Sequence, residues 1–420
     1  MIAAPEPPVY RPFALLALAV ALFGGIPLGL WLLGWLYLRL AAVPPQWLLL
    51  HAHLQIFGFF GTLIMGVAQH LLPRFTGRLV SPSRLPRVSL ALQAAGLTLR
   101  ILGTAAELGA LVLLAALFQT VAFLLFARWV WSMLDPVPLR VLRWHLTLST
   151  AWLAGACALE AWLRASALAS GLSLPALASV RVVHAMGLFG GVLGWVLGVL
   201  LRAGPMFVPR WRAPLRAARA LPWLQALGLG IAAWGEASAG SAETATALAR
   251  LGELVILAGA AALMLLGGVL ARAGEALPLV ARGPEESRIF RVALLAGGAA
   301  VVGSAVTVAA AGAGLEVRVI GDVVRHLLTI GGLTSVVVAM MFRLVPVLEG
   351  RRLRWPGLRR VALWSLAGGI LLRSAEVLVG LGWTALASWI PLSGLLVWLA
   401  VACAAANLIA SIGARAHGAS

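Results

Sequence analysis

The stretch His53-Leu-Gln-Ile-Phe-Gly58 recurs later in the chain as His326-Leu-Leu-Thr-Ile-Gly331. In both copies a proline, a glycine and an arginine follow the histidine by 20, 24 and 25 residues. A third copy starts at His184, with its prolines out of register by one residue. Repeats of this length indicate a duplicated structural unit. Because a histidine begins each apolar copy, the repeat also predicts a ligand site.

The composition predicts a membrane protein built from α-helices. Hydrophobic residues make up 62% of the chain and charged residues 11%, and apolar runs of roughly 20 residues recur throughout it. These runs do not alternate between apolar and polar residues, as the strands of a membrane β-barrel would. The net charge of +18 comes from arginines in short loops, so the expected partner is the lipid bilayer and not nucleic acid.

Twelve transmembrane spans are predicted along the chain. Their approximate bounds are residues 13–38, 46–72, 88–107, 109–131, 144–165, 178–204, 218–238, 247–271, 291–313, 320–346, 360–380 and 387–412. Arginines concentrate in the loops that follow the even-numbered spans, and the positive-inside rule then places both termini in the cytoplasm. We therefore expect a multi-pass protein of the bacterial inner (plasma) membrane, with its histidines clustered in the outer half of the bilayer.

The histidines of the repeat fall on the second, sixth and tenth of these spans. Each repeat is thus four helices long, which predicts a single polytopic membrane domain, residues 1–420, made of three pseudo-symmetric four-helix units at about residues 13–131, 144–271 and 291–412. Transporters of the major facilitator type repeat every six helices instead. The four-helix spacing disfavours that class, although a polytopic transporter without haem stays an alternative because intramembrane histidines and arginines also serve substrate paths.

Two arginines repeat together with the histidines. Arg100 and Arg373 each lie 47 residues after their histidine, on the third span of their unit. At about 1.5 Å of rise per residue, both arginines are expected to be level with the histidines inside the membrane. Glu107 and Glu376 follow on the same helix faces, so a structural ion pair is predicted for each arginine unless the arginine binds a ligand.

Several of these residues resemble the NnrS family of haem- and copper-containing membrane proteins. The resemblance rests on His51-Ala52-His53, on the three spans that begin with histidines, and on Met340-Met341-Phe342-Arg343 with the following Glu349-Gly350-Arg351. It covers most of the chain through short motifs and extends, more distantly, to the catalytic subunit of haem-copper oxidases. The resemblance implies a fold like that of haem-copper oxidase subunit I, haem iron and copper bound by histidines, and a role in nitric oxide metabolism or resistance.

The chain departs from the oxidase pattern at two places. The seventh span carries no histidine, and neither Tyr10 nor Tyr37 is placed like the active-site tyrosine of the oxidases. Oxygen reduction is therefore not expected, and whether the protein is a haem-dependent oxidoreductase stays open, with a catalytic oxidase or nitric oxide reductase subunit as the alternative. Since no Cys-x-x-Cys-His motif occurs, one or two non-covalent haems of b type are expected. The expected partners are nitric oxide or another small diatomic ligand, and an electron donor or quinone.

The spacing of His51 and His53 separates their roles. Residues two apart on a helix point about 200° away from each other, so one metal ion cannot take both side chains. If the three units repeat in the same rotational sense, His51 faces the compartment that His326 enters. These two histidines are the predicted axial pair of a haem. His53 is left for a second metal site, with His184 as the nearest other candidate.

The remaining predictions concern the surroundings of these histidines. Arg181 and Arg325 each neighbour a site histidine and are candidates to bind haem propionates, with snorkelling to the membrane surface as the alternative. Arg100 and Arg373 are further propionate candidates. Glycines crowd the histidine helices, which suits either close helix packing or a flat macrocycle, and the prolines of the repeat are expected to end these helices. Interfacial or tail positions are predicted for the other histidines, which are His70, His145 and His417.

Overall fold

The computed structural model describes a chain made of helices. The described residues are 9–78, 84–134, 140–208, 211–237, 242–270, 284–315, 317–350 and 352–413, and no strand occurs among them. The long helices in this part of the chain are α1 (Tyr10–Leu38), α2 (Pro45–Thr76), α3 (Leu85–Ala105), α4 (Gly109–Leu134), α5 (Arg140–Ala169), α6 (Leu177–Met206), α7 (Leu215–Ala237), α8 (Ala242–Leu266), α9 (Pro284–Gly312), α10 (Arg318–Glu349), α11 (Leu358–Gly380) and α12 (Thr384–Ile412). All of these except α7 are long and apolar enough to cross a membrane. The predicted all-α polytopic fold is confirmed.

A π-helical segment follows the histidine in each copy of the repeat. The three segments are Leu54–Gly61 in α2, Met186–Val192 in α6 and Leu327–Thr334 in α10, and α1 contains a fourth, Ala21–Gly25. π-Helical turns are rare, and within α-helices they occur frequently at functional sites. The sequence already indicated a duplication, and the recurrence of these segments at the same repeat position adds structural evidence for it.

Hydroxyl side chains satisfy the backbone at the ends of two of these segments. Thr62 Oγ1 donates a hydrogen bond to the carbonyl of Phe57, and Ser335 Oγ donates one to the carbonyl of Ile330, both at 3.3 Å. Each hydroxyl lies nine residues after its histidine. A widened turn leaves carbonyl groups that need a donor in an apolar bilayer, so the repeated hydroxyl stabilises the repeated π-helical segment.

Helices α2 and α10 end at a glycine and not at the repeated proline. Both helices continue through Pro73 and Pro346 and stop where Gly77 and Gly350 adopt φ angles of 67° and 65°. Glycine takes this left-handed conformation without the strain that a Cβ atom brings. The expectation that the prolines end these helices is therefore wrong for α2 and α10, while in α6 the proline at 205 does lie in the final 3-10 turn.

Replacing Gly350 with alanine should lower the free energy of unfolding by about 1–2 kcal/mol, because alanine must then adopt the left-handed conformation. Gly357 offers a matched control. Neither glycine has another atom within 4 Å of the position that a Cβ would take, but Gly357 has an ordinary helical φ of −61°. Unfolding in mixed micelles with increasing SDS should show a loss for Gly350→Ala and little change for Gly357→Ala; equal effects would contradict the assignment.

The chain divides into two compact units, of which the first comprises Met1–Gly25 and Pro44–Gly198. Within it the start of α1 packs on α2, α3 on α4, α4 on α5, and α5 on the π-helical segment of α6. Its core contains fully buried phenylalanines, among them Phe57 and Phe123, whose rings meet edge to face at 6.2 Å.

The second unit comprises Ile26–Val43 and Val199–Ser420. Within it α7 packs on α8, α8 on α9, α9 on α10 and α11 on α12, and α12 also contacts the Ile26–Leu38 part of α1. Helices at equivalent positions of the predicted repeat therefore make equivalent pairs, first with second and third with fourth. The boundaries of the two compact units differ from those of the three predicted units, and the threefold division stays a prediction.

Candidate functional site

His53 lies at the centre of a buried polar cluster in the first unit. The side chain is 1% exposed, its Nε2 is 2.9 Å from Gln119 Oε1 on α4, and its Nδ1 is 3.2 Å from Glu160 Oε2 on α5. Both ring nitrogens thus face polar side chains of the protein. A metal ligand needs one nitrogen lone pair directed at the metal, so this arrangement does not fit the predicted role of His53 as a ligand.

Arg100 joins the same cluster from α3. Its Nη1 lies 2.6 Å from Glu160 Oε1, and its Nε donates a 3.3 Å hydrogen bond to Gln119 Oε1. Arg100 and Glu160 are each 2% exposed, so this is a buried ion pair. The prediction that Arg100 lies level with the histidine of its unit is confirmed, because both side chains contact the same amide and the same carboxylate.

Glu107 is not the partner of Arg100, contrary to the prediction from their shared helix face. Helix α3 ends at Ala105, and Glu107 lies beyond it with a φ of 55°. The helical spacing therefore does not extend to Glu107, which is exposed and accepts a 3.2 Å hydrogen bond from Gln46 Nε2.

His51 presents a different environment two residues earlier on α2. The ring is half-buried, and its Nδ1 lies 2.8 Å from the carbonyl oxygen of Gly25, in the π-helical segment of α1. A carbonyl oxygen can only accept, so Nδ1 carries the proton and the lone pair is on Nε2. Histidines that bind metals commonly have this arrangement, with the second ring nitrogen donating to a carbonyl.

His326 repeats this arrangement in the second unit. Its Nδ1 lies 2.8 Å from the carbonyl oxygen of Asp322, one helical turn earlier on α10. Arg373 Nη2 also approaches Nδ1, at 3.3 Å, but the shorter contact to the carbonyl places the proton on Nδ1. The lone pair is again on Nε2. The side chain of His326 is 26% exposed, in contrast to the buried ring of His53.

Arg373 is held by two carboxylates beside His326. One guanidinium nitrogen pairs with the Asp322 carboxylate, and Nη1 lies 3.2 Å from Glu376 Oε2. The Tyr37 hydroxyl donates to the other oxygen of Glu376. The predicted ion pair between Arg373 and Glu376 is confirmed. The prediction that Arg373 lies level with His326 is also confirmed, because the two side chains approach each other. Asp322 and Tyr37 were not foreseen as members of this cluster.

The other arginines predicted near the histidines differ in their surroundings. Arg325 Nη2 lies 3.2 Å from Glu253 Oε1 on α8, and Arg250 Nη1 lies 2.7 Å from the other oxygen of the same carboxylate. The Arg325 side chain is still 39% exposed, so it can reach a further anion. Arg181 is exposed on α6, three residues before His184.

The remaining histidines have varied positions. His184 is half-buried on α6, two residues before the π-helical segment. His145 is buried, 1% exposed, near the start of α5, and its interfacial depth stays a prediction. The ring of His70 lies 5.9 Å from that of Tyr10, edge to face. His417 lies outside the described residues.

The glycines of the histidine helices serve close packing. A Cβ on Gly61 would lie 2.9 Å from the Phe123 ring, and one on Gly187 would lie 2.6 Å from the Phe57 ring. The faces that these glycines leave bare are therefore covered by aromatic side chains of neighbouring helices. The glycines could serve either close helix packing or a flat macrocycle, and these positions support helix packing. In the described part of the chain, no three His, Cys, Asp or Glu side chains form a group that could hold a metal ion.

These features define a class: a polytopic, all-α membrane protein whose repeated histidine helices carry π-helical segments and lie beside buried arginine–carboxylate pairs. The family model described as NnrS protein matches residues 9–415. Since the match spans nearly the whole chain, the protein belongs to the NnrS family. No curated protein matches the sequence.

Proposed function

We propose that this NnrS family member is a haem-binding membrane protein that handles nitric oxide or electrons, and that His51 and His326 would hold the haem iron. The proposal is supported by the hydrogen bond that each of the two imidazoles makes with a backbone carbonyl. Each directs Nδ1 to a backbone carbonyl at 2.8 Å and so has its lone pair on Nε2. This is the tautomer that a metal-binding histidine needs. The two residues belong to different compact units, and their pairing on one iron stays a sequence-based prediction.

The chain's own residues would orient the ligands. The carbonyl of Gly25 fixes the ring of His51 from the π-helical segment of α1. Asp322 fixes the ring of His326 through its carbonyl, while Arg373 binds the carboxylate of Asp322. Arg325, partly exposed beside His326, is the best-placed arginine for a propionate in the second unit. Copper and a role for His53 in a second metal site find no support in the surroundings of His53.

Haem with two histidine ligands supplies reversible one-electron chemistry and has no open position for a diatomic ligand. Nitric oxide would therefore need a second centre, and His184 is the remaining histidine for it. The arginine-rich loops support cytoplasmic termini in a bacterial inner membrane, with the histidines in the outer half. A quinone or another electron donor is the expected source of electrons.

Exposure of the reduced protein to nitric oxide tests this function. We expect a low-spin fraction that persists, because its iron has two histidine ligands, together with a smaller fraction that shifts. The shifting fraction should disappear in His184→Ala and stay in the control His70→Ala. Conversion of the whole Soret band by nitric oxide, or rapid oxygen consumption with added reductant, would contradict the proposal.

A further inference from the structure

The buried cluster of the first unit carries more positive than negative charge. The guanidinium groups of Arg100 and Arg164 meet a single carboxylate, that of Glu160. Within the described residues, Glu160 is the one acidic side chain in ion-pair contact with either arginine. His53 adds no negative charge to the cluster. Two arginines against one glutamate therefore leave a positive charge without a counterion.

Both arginines keep a buried donor for another ligand. Arg100 Nη2 and Arg164 Nε are buried and make no hydrogen bond with any described residue. The other ends of the two guanidinium groups converge on one atom, Glu160 Oε1, at 2.6 Å and 3.7 Å. The unused donors consequently belong to the same cluster. The side chain of Arg164 is 10% exposed, against 3% for Arg100, so a ligand would enter from the side of Arg164.

The equivalent cluster in the second unit is balanced. Three arginines there, Arg250, Arg325 and Arg373, pair with three carboxylates. The carboxylates belong to Glu253, Asp322 and Glu376. Glu253 also meets two arginines, as Glu160 does, but Arg373 in the second unit has two carboxylates, so the charges there balance and those of the first cluster do not.

We propose that a small carboxylate or monovalent oxyanion binds between Arg100 and Arg164 as the missing counterion. A charge buried in a membrane protein without a partner is costly, and a guanidinium group binds planar oxyanions through paired N–H donors. The same chemistry is available from two sources, a free anion such as nitrite or formate and the propionate of a bound haem. Only the second source rests on the proposed function.

The test compares unfolding temperatures in different anions. Full-length protein is purified in detergent with gluconate as the bulk anion, with and without haem loading, and is heated at increasing nitrite or formate. We expect haem-free protein to gain about 3 °C or more, in a saturable manner. Arg164→Gln removes the surplus charge, so it should lose this gain and be at least as stable as the wild type in gluconate. The exposed Arg87 on α3 provides the control variant Arg87→Gln, which should keep the gain.

The two sources give different results. A gain that disappears on haem loading identifies a propionate as the bound anion, and a gain that persists identifies a free anion. If Arg164→Gln does not fold, Arg164→Lys serves in its place, and it should raise the half-saturating anion concentration several-fold because lysine lacks the planar donors. The proposal is wrong if the wild type shows no anion-dependent gain, or if Arg164→Gln shows the same gain as the wild type.

Discussion

Protein purified with His51 or His326 replaced by alanine should lose the six-coordinate, low-spin haem spectrum. Each imidazole has its lone pair on Nε2 because Nδ1 donates to a carbonyl, and the methyl group of alanine offers the iron no nitrogen. We expect the low-spin fraction to fall at least tenfold in either variant. Optical and electron paramagnetic resonance spectra of the same preparations measure the change.

Two controls separate ligation from general damage. His53→Ala perturbs a buried histidine on the same helix, and it should lower stability while the bound haem keeps its low-spin signature. His70→Ala should leave both properties unchanged. An unaltered low-spin spectrum with full haem content in both His51→Ala and His326→Ala would contradict the assignment of these ligands.

Replacing Glu160 with glutamine should lower the free energy of unfolding by about 3–5 kcal/mol, the usual effect of removing one partner of a buried ion pair. Arg100 and Glu160 are each 2% exposed, so the arginine that remains cannot recover its hydration. Glutamine has nearly the same shape as glutamate, and the loss therefore reports charge and not packing. Unfolding in mixed micelles with increasing SDS gives the measurement.

Glu107→Gln is the matched control for this variant. Glu107 carries the same charge in the same unit but lies exposed beyond the end of α3, so its replacement should have little effect. Similar losses in the two variants would show that the ion pair with Arg100 does not stabilise the protein as its burial implies.

The sequence was sufficient for the class of fold and for the level of the two repeated arginines relative to their histidines. Apolar runs predicted the helices, and equal offsets of 47 residues placed Arg100 and Arg373 level with their histidines. That inference succeeded because the rise of a helix per residue hardly varies. The spacing of His51 and His53 likewise implied two different neighbours, and the structure places them against a carbonyl and a carboxylate.

The partners of the charged residues could not be predicted in the same way. Glu160 lies on a different helix, 60 residues from Arg100 along the chain, and a periodic pattern within one helix contains no information on such pairs. A count of charged residues inside the apolar spans would still have marked Glu160 as a residue that needs a partner. Glu107 was chosen instead because the predicted helix was two residues too long.

The π-helical segments were also missed, for a physical reason. Their sequences, such as Leu54–Gly61, are apolar and glycine-rich like the rest of these helices, so periodicity does not distinguish them. The widened turn in α1 nevertheless bears on function, since it contains the carbonyl of Gly25 that fixes His51. Its position depends on how helices pack, which no local pattern records.

Haem and iron analysis of the wild-type protein, purified from membranes without added haem, shows whether the chain binds haem at all. We expect a Soret band, at least one iron per chain and a low-spin signal with two nitrogen ligands. Colourless protein without iron, properly folded and still colourless after incubation with haem, would contradict it.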